Sequence, residues 1–234
     1  MNKQSNVYTT VYIIILVLVV GTALASTALA LRPKQQENID ADKMRQILAA
    51  VHITPEKNGI VEDFNRYIVE QKVVNSAGET IEGDAFTINM PEQIKLPADK
   101  RSLPVFVCKM QGGEIKYILP AYGAGLWGPI WGYIAIDSDG STVYGAYFAH
   151  QGETPGLGAE IEKPAFTDQF NSSLHLFKDG EFMPIEVVKG GIAPASGADY
   201  VNGISGGTIT SKGVGTMLDN CLTPYMSFLE QLSK

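Results

Sequence analysis

A short stretch near the C-terminus, Asn202–Gly213, combines several glycines with hydroxyl-bearing side chains and one lysine, Lys212. Glycine lets a backbone approach a ligand closely and adopt positive φ. The apolar pattern predicts a helix directly afterwards, over roughly Gly215 to Leu232, and the N–H groups and positive dipole of a helix N-terminus attract anions. The stretch therefore predicts a phosphate-binding loop, although the same composition also suits a loop that only caps a helix.

Two established motifs do not fit this stretch. A Walker A loop needs glycine, four residues and then Gly-Lys-Ser/Thr, whereas the fourth residue after Gly207 is followed by Lys212 and Gly213. Gly203–Gly207 matches the G-x-S-x-G string of a hydrolase nucleophile elbow around Ser205, but that fold needs a histidine downstream of the serine. The histidines of the sequence all precede it, at His52, His150 and His175. The Walker A pattern fails and a hydrolase triad is disfavoured.

The string Ser205–Thr210 resembles the S-G-A-T-x-T motif of FMN-binding domains that carry the flavin covalently. In that family the last threonine bears the flavin as a phosphoester, and Thr210 occupies that position here. Gly207 stands where the family usually has alanine, so one small residue replaces another. The resemblance implies a phosphate site made by Ser205, Gly206, Gly207, Thr208, Ser211 and Lys212.

Two further motifs lie upstream in the sequence. Glu153–Gly158 resembles the E-T-P-G-L-G element of the same domains, and Gly125–Tyr133 resembles the G-L-W segment of the C-subunit family of Na⁺-translocating NADH:quinone reductases. By residue type alone, Glu153 suits a turn or a cap, and Trp127 suits core or interface packing. The resemblance implies instead that these loops contact the flavin through Leu126, Trp127, Glu153, Thr154 and Leu157.

The resemblance also implies a function. A separate flavin transferase, with FAD as donor, would attach FMN to Thr210. The chain would then relay electrons from NADH towards quinone, together with the other subunits of a Na⁺-exporting membrane complex, and would have no turnover of its own. NADH should bind elsewhere, since no G-x-G-x-x-G string is predicted between a strand and a helix. Two alternatives remain: the related G-subunit family of Rnf-type complexes, which shares the anchor and both flavin motifs, and a membrane-anchored binding or scaffold module without cofactor.

Apolar runs separated by turn signals predict the strands that position the upstream loops. Runs at 105–108 and 115–119 flank a Gly-Gly turn, and runs at 130–136 and 142–149 flank the turn signal Asp137–Gly140. The predicted fold class is α+β, with a single N-terminal transmembrane helix followed by an extracytoplasmic antiparallel-sheet FMN-binding domain with flanking helices.

The N-terminal segment Val11–Leu31 is uncharged and mostly aliphatic, and it is long enough to cross a bilayer as a helix. A cleaved signal peptide is the alternative, because two A-x-A strings lie within it. The length of the run favours a retained anchor in contact with lipid. Lys3 on one side of the segment nearly balances Arg32 and Lys34 on the other, so the positive charges do not determine its orientation in the membrane. The resemblance implies a single-pass protein of the bacterial inner membrane with a periplasmic domain.

Three parts are predicted: an anchor at 1–34, a helical or mixed membrane-proximal region at 35–102 and the FMN-binding domain at 103–234. In the middle part, a helix capped by Asn38 or Asp40 is expected to bury the face formed by Met44, Ile47, Leu48 and Val51. A second helix is expected from Thr54 through Ile60 and Phe64 to Ile68.

Beyond Gly158 the pattern predicts a short helix near 164–170, strands near 175–178 and 185–188 and a turn at 178–180. The C-terminal helix should bury Val214, Met217, Leu218 and Cys221, and Pro224 should kink or break it.

The net charge of −7 argues against a nucleic-acid partner. Cys108 and Cys221 form no metal motif, and buried free thiols are favoured over a single disulfide.

Overall fold

The computed structural model describes residues 6–56 and 59–233. Contacts divide the chain into two compact units, one ending at Lys43 and the other beginning at Met44. Lys3, which enters the charge balance around the anchor, lies outside the described residues. The division of the sequence at residues 34 and 102 stays a prediction.

The N-terminal helix, α1, runs without interruption from Asn6 to Ala49 and continues past Pro33. Within the described chain it is the one helix long and apolar enough to cross a membrane by length and composition, and its apolar window is not buried by protein. The prediction of a separate helix capped by Asn38 or Asp40 is wrong. Asp40 lies inside α1, where its carboxylate accepts a hydrogen bond from the Gln36 side chain one turn earlier (2.8 Å).

The remaining elements belong to the second unit. Its helices are α2 (Ile60–Tyr67), α3 (Met90–Gln93), α4 (Pro164–Thr167), α5 (Thr208–Leu222) and α6 (Met226–Leu232). Its strands are β1 (Ile68–Val74), β2 (Thr80–Ile81), β3 (Leu103–Lys109), β4 (Ile115–Ala124), β5 (Pro129–Asp137), β6 (Val143–His150), β7 (Phe177–Lys178), β8 (Glu181–Phe182), β9 (Glu186–Val188) and β10 (Tyr200–Asn202). Short 3₁₀ turns occupy Ala98–Lys100, Gly158–Glu162 and Thr223–Tyr225.

A six-stranded antiparallel sheet forms the centre of this unit, in the order β2-β1-β3-β4-β5-β6. Both predicted hairpins are present, as β3–β4 and β5–β6, and the predicted α+β fold class is confirmed. Strands β1 and β2 extend the sheet from the region that the sequence pattern assigns to helical or mixed structure. Ile68, expected on a helix face, begins β1 and pairs with Cys108.

Side chains alternate between the two faces of the sheet, as the pleat requires. On β3, Val105 and Val107 face a core that α5, Tyr225 and α6 cover, whereas Phe106 and Cys108 face a core closed by the end of α1 and by α2. Because both faces are covered, β3 is buried along almost its whole length. Cys108 and Cys221 are buried free thiols.

Two predicted helix starts are wrong. The helix expected from Thr54 begins only at Ile60. The C-terminal helix begins at Thr208 rather than near Gly215, because the backbone already closes a helical turn where Ser211 N–H donates to Gly207 C=O (2.9 Å). Pro224 divides this helix as predicted, within the turn that separates α5 from α6.

Sheet register places two loops together. Gly123 of β4 pairs with Ile130 of β5, and Ile130 pairs with His150 of β6. The turn between β4 and β5 and the loop after β6 therefore leave the same end of the sheet. The string Gly123–Gly128 has G-x-G-x-x-G spacing, but it forms a β-hairpin turn, closed by Gly125 N–H to Gly128 C=O (2.8 Å), and is not a strand-to-helix loop.

Candidate functional site

Thr210 and Glu153 form the centre of the site. The Thr210 hydroxyl donates a hydrogen bond to Glu153 Oε2 (2.5 Å), although the two residues are 57 positions apart in the sequence. Both are buried, with 1 % of Thr210 and 5 % of Glu153 exposed. Thr210 lies in the first turn of α5, and Glu153 lies in the loop after β6. The last residue of one flavin motif thus contacts the first residue of the other.

Glu153 receives hydrogen bonds on both carboxylate oxygens. Its Oε1 accepts the backbone N–H of Trp127 (2.8 Å), and its own backbone N–H donates to His150 Nδ1 (3.2 Å). Burial acts to raise the pKa of Glu153, but the hydrogen bonds from Thr210, Trp127 and Leu126 favour the charged form and hold the pKa below its ordinary value. Glu153 is therefore an ionised, buried carboxylate at neutral pH.

Two glycines leave room for this carboxylate. A Cβ at Gly125 would lie 2.5 Å from Glu153 Oε1, and one at Gly158 would lie 2.3 Å from Glu153 Oε2 and 2.4 Å from the Thr210 hydroxyl oxygen. A side chain at Gly158 would collide with both members of the pair, and one at Gly125 would collide with Glu153. Gly125 and Gly158 are thus explained by close approach rather than by backbone conformation, since neither has positive φ.

The N-terminus of α5 presents backbone donors. Gly207 precedes the helix and no side chain caps it, and the first N–H groups of a helix have no partner within the helix itself. Gly206 has φ of +77°, a left-handed conformation that favours glycine. Ser211 supports the loop, because its hydroxyl oxygen accepts the Ile204 N–H (2.8 Å). These features suit an anion, as the loop composition predicts.

A cavity of about 600 Å³ lies beside this loop. Its lining includes five residues of the predicted phosphate site together with the end of β9: Ser205, Gly206, Thr208, Ser211, Lys212 and Val187–Gly190. Thr210 is not part of the lining. The structure therefore separates the predicted residues into two groups, the cavity-lining group and the Glu153–Thr210 group. Gly207 is buried between the loop and Leu157.

Large apolar side chains are exposed around the Glu153–Thr210 pair. Trp127 is 69 % exposed, and Leu126 and Leu157 are also exposed. Ile209 is not among the predicted flavin contacts. It is 60 % exposed although it directly precedes the buried Thr210. Thr154 is exposed, and its carbonyl accepts the N–H groups of Leu157 and Ala159 (3.1 Å each), which shapes the turn. Exposed apolar side chains on converging loops are typical of a binding surface.

Sequence reasoning missed the direct Thr210–Glu153 contact, the space-making roles of Gly125 and Gly158, and the exposure of Ile209. The repeated glycines in both upstream motifs were the available signal. A glycine indicates close packing only when the group that packs against it is known. Here that group includes residues from another segment of the chain.

Comparison with known proteins identifies the family of this chain. Residues 125–223 match the FMN-binding domain family. The Na⁺-translocating NADH-quinone reductase C-subunit of Vibrio anguillarum is 36 % identical over 230 residues, which cover 91 % of this chain and 89 % of the relative. The Yersinia pestis C-subunit is 34 % identical over 233 residues, covering 91 % and 87 %.

Solved structures show the same relationship. The crystal structure of the Na⁺-translocating NADH-quinone reductase C-subunit from Parabacteroides distasonis superposes with a TM-score of 0.79 at 49 % identity, covering 85 % of this chain and 96 % of that one. Shewanella oneidensis NqrC, at 24 % identity and a TM-score of 0.68, shares the fold over 83 % and 98 % of the two chains. The chain therefore belongs to the C-subunit family of the Na⁺-translocating NADH-quinone reductase, an oxidoreductase complex, and contains an FMN-binding domain.

Proposed function

We propose that this chain is an electron-relay subunit that carries FMN as a phosphoester on Thr210. The single observation that supports it best is the placement of the Thr210 hydroxyl, held by an ionised carboxylate in the first turn of an uncapped helix. A hydroxyl beside a general base is the arrangement expected of a nucleophile. Helix N–H groups and Lys212 provide positive potential for the phosphate that would be attached.

The residues present fit FMN. The uncapped helix N-terminus suits the phosphate, and the exposed side chains of Leu126, Trp127, Leu157 and Ile209 offer apolar contact for the isoalloxazine ring. Bound flavin supplies one- or two-electron transfer, and the protein supplies its position and electrostatic surroundings. The chain contributes to electron transfer by fixing the isoalloxazine ring at a defined place and by excluding water from the attachment point.

The wider role follows the relatives. Their name describes a Na⁺-translocating NADH-quinone reductase, and we propose that this chain works with the other subunits of such a complex, relaying electrons from NADH towards quinone while Na⁺ is exported. A separate flavin transferase, with FAD as donor, would attach the cofactor. Helix α1 would contact membrane lipid and hold the FMN-binding domain on the periplasmic side of a bacterial inner membrane. A covalent bond prevents loss of the flavin by dilution there.

The attachment site is tested with the full chain coexpressed with a flavin transferase. The wild-type chain, purified and unfolded, should fluoresce as flavin and exceed its amino-acid mass by one FMN less one water. Thr210→Ala should lack both signals, because no hydroxyl remains at the attachment position.

The matched control is Thr216→Ala, which removes an exposed threonine from the same helix and should keep the full signal. Flavin on the Thr210→Ala chain, or an unmodified wild-type chain, would contradict the proposal. A colourless wild-type chain with intact function would favour a scaffold module instead.

A further inference from the structure

The Thr210 hydroxyl is bonded differently from the hydroxyls of three other threonines in the α-helices. The hydroxyls of Thr10, Thr27 and Thr167 donate to the backbone carbonyl four residues earlier, at 2.9, 2.9 and 3.3 Å. This local bond satisfies a threonine hydroxyl with little demand on the rest of the fold. The Thr210 hydroxyl instead donates to Glu153, a carboxylate brought from another loop.

This arrangement is costly unless it serves a purpose. A buried carboxylate loses its hydration, and it is tolerated only when hydrogen bonds replace the water. Here the Trp127 N–H and the Thr210 hydroxyl supply those bonds. Two positions, Gly125 and Gly158, must also stay without a side chain to admit the carboxylate. A neutral oxygen could accept the hydrogen bond from the hydroxyl without these constraints. An ionised carboxylate can in addition take up the proton itself.

We infer that Glu153 is the general base for flavin attachment, accepting the Thr210 proton as the phosphoester forms. This inference rests on the proposed attachment at Thr210. In the balanced step, Thr210 Oγ1 forms a bond to the flavin-side phosphorus of FAD while the phosphoanhydride bond to AMP breaks. AMP leaves with the electron pair of that bond, and the hydroxyl proton passes to Glu153 Oε2. No electrons are exchanged in the redox sense.

The product also suits this assignment. Once Oγ1 is an ester oxygen it no longer donates to Glu153, and the attached phosphate brings a second negative charge near the carboxylate. Both changes favour the neutral form of Glu153. The proton taken from Thr210 is therefore retained where it relieves repulsion between the two acidic groups.

Other titratable groups surround Glu153 and bear on any pH profile. His150 accepts the Glu153 backbone N–H through Nδ1, and its Nε2 lies 3.7 Å from Glu162 Oε2. Lys212, on α5, is exposed. Glu162 does not contact Thr210, so Glu162→Gln is a matched control that removes one nearby carboxylate from the same segment.

The test is the initial rate of flavin attachment to the full chain by purified transferase and FAD, followed by intact mass and by fluorescence of the unfolded chain. Glu153→Gln keeps an oxygen that accepts the hydroxyl but lacks a base. We expect attachment to slow at least about 100-fold, within the usual range for loss of a general base. Its residual rate should rise with pH more steeply than the wild-type rate, because hydroxide must then take the proton. Glu162→Gln should match the wild type.

Glu153→Asp distinguishes the chemical role from a structural one, since it retains a carboxylate. It should recover part of the rate and the wild-type pH profile. Attachment to Glu153→Gln at the wild-type rate, or a slower rate with an unchanged pH profile in both variants, would overturn the inference while leaving Thr210 as the attachment point. Absence of flavin from the wild type, or its presence on Thr210→Ala, would instead refute the proposed function.

Discussion

Glu153 shows how a single buried residue can join several segments of the chain. Its side chain accepts from the turn after β4 and from α5, while its backbone donates to His150 at the end of β6. The carboxylate therefore joins the turn after β4 to α5, and the backbone N–H adds the end of β6. Hydrogen bonds to a buried charge are also stronger than those between neutral groups. These hydrogen bonds therefore organise the site.

Replacing Gly158 with alanine should disrupt this pair. The new Cβ would lie within 2.4 Å of oxygens on both Glu153 and Thr210, and overpacking of this kind costs about 1–3 kcal/mol. We expect a lower Tm and a marked loss of flavin attachment.

Gly152→Ala is the matched control, because nothing lies within 4 Å of a Cβ at that position and its φ is not left-handed. It should be close to wild type in both Tm and attachment. A Gly158→Ala chain with wild-type Tm and full flavin content would show that the close approach is unimportant.

At the scale of elements, the start of α5 determines which hydroxyls face the site. Because the helix begins at Thr208, Thr210 lies in its first turn and faces Glu153, while Ser211 turns towards Ile204 and the cavity. A helix starting at Gly215 would have left both residues in a loop. The earlier start gives Thr210, the proposed attachment residue, a rigid support, which favours accurate positioning of a bound group.

A second acidic residue holds together the segment between β7 and β10. Asp199 accepts the His175 N–H (2.8 Å) and pairs with Lys178 (2.7 Å), and its carbonyl accepts the Glu186 N–H. Burial acts to raise the pKa of Asp199, but the hydrogen bonds from Lys178 and His175 outweigh it and keep the pKa below its ordinary value. Asp199 should therefore make stability depend on pH.

The sign follows from the lowered pKa. The contribution of ionised Asp199 is fully present above the ordinary aspartate pKa and is lost as pH falls through the lower folded-state pKa. Asp199→Asn should lower Tm at neutral pH, and its difference from the wild type should shrink with acidification. Thermal unfolding across this range tests it, with Asp179→Asn, an exposed residue of the same segment, as the control. A Tm difference that stays constant with pH would contradict this role.

At the scale of the whole molecule, α1 is the candidate membrane span. A helix with this length and mean hydropathy can span a bilayer, but an apolar N-terminal segment can also be a leader that is cleaved. The presence or absence of residues 1–31 in the mature protein separates the two alternatives.

We expect the mature chain to retain its N-terminus and to place its C-terminus in the periplasm. Intact mass of the membrane-extracted protein should include the anchor, and a C-terminal alkaline phosphatase fusion should be active in intact cells. A fusion to a β-galactosidase reporter, which works only in the cytoplasm, is the opposite control. Cleavage near residue 30, or the reversed reporter pattern, would contradict the retained periplasmic orientation.

Local sequence patterns were enough for the central hairpins. Strands β3 to β6 are apolar runs separated by clear turn signals, and such signals depend on neighbouring residues only. β1 was not predicted, because it pairs with β3 across an intervening segment of the chain. The start of α5 was also misplaced, since the glycines there discourage a helix that tertiary packing then stabilises.

The sequence by itself determined the family, the candidate membrane-spanning segment, the strand pattern and Thr210 as the candidate attachment residue, because each is encoded in a contiguous motif. Only the tertiary structure decided that Thr210 is buried against Glu153, that Gly125 and Gly158 make room for this contact, and that the cavity beside α5 excludes Thr210. These features depend on strand register and on the packing of α5 against the sheet. Both are properties of residues far apart in the chain, which no local motif specifies.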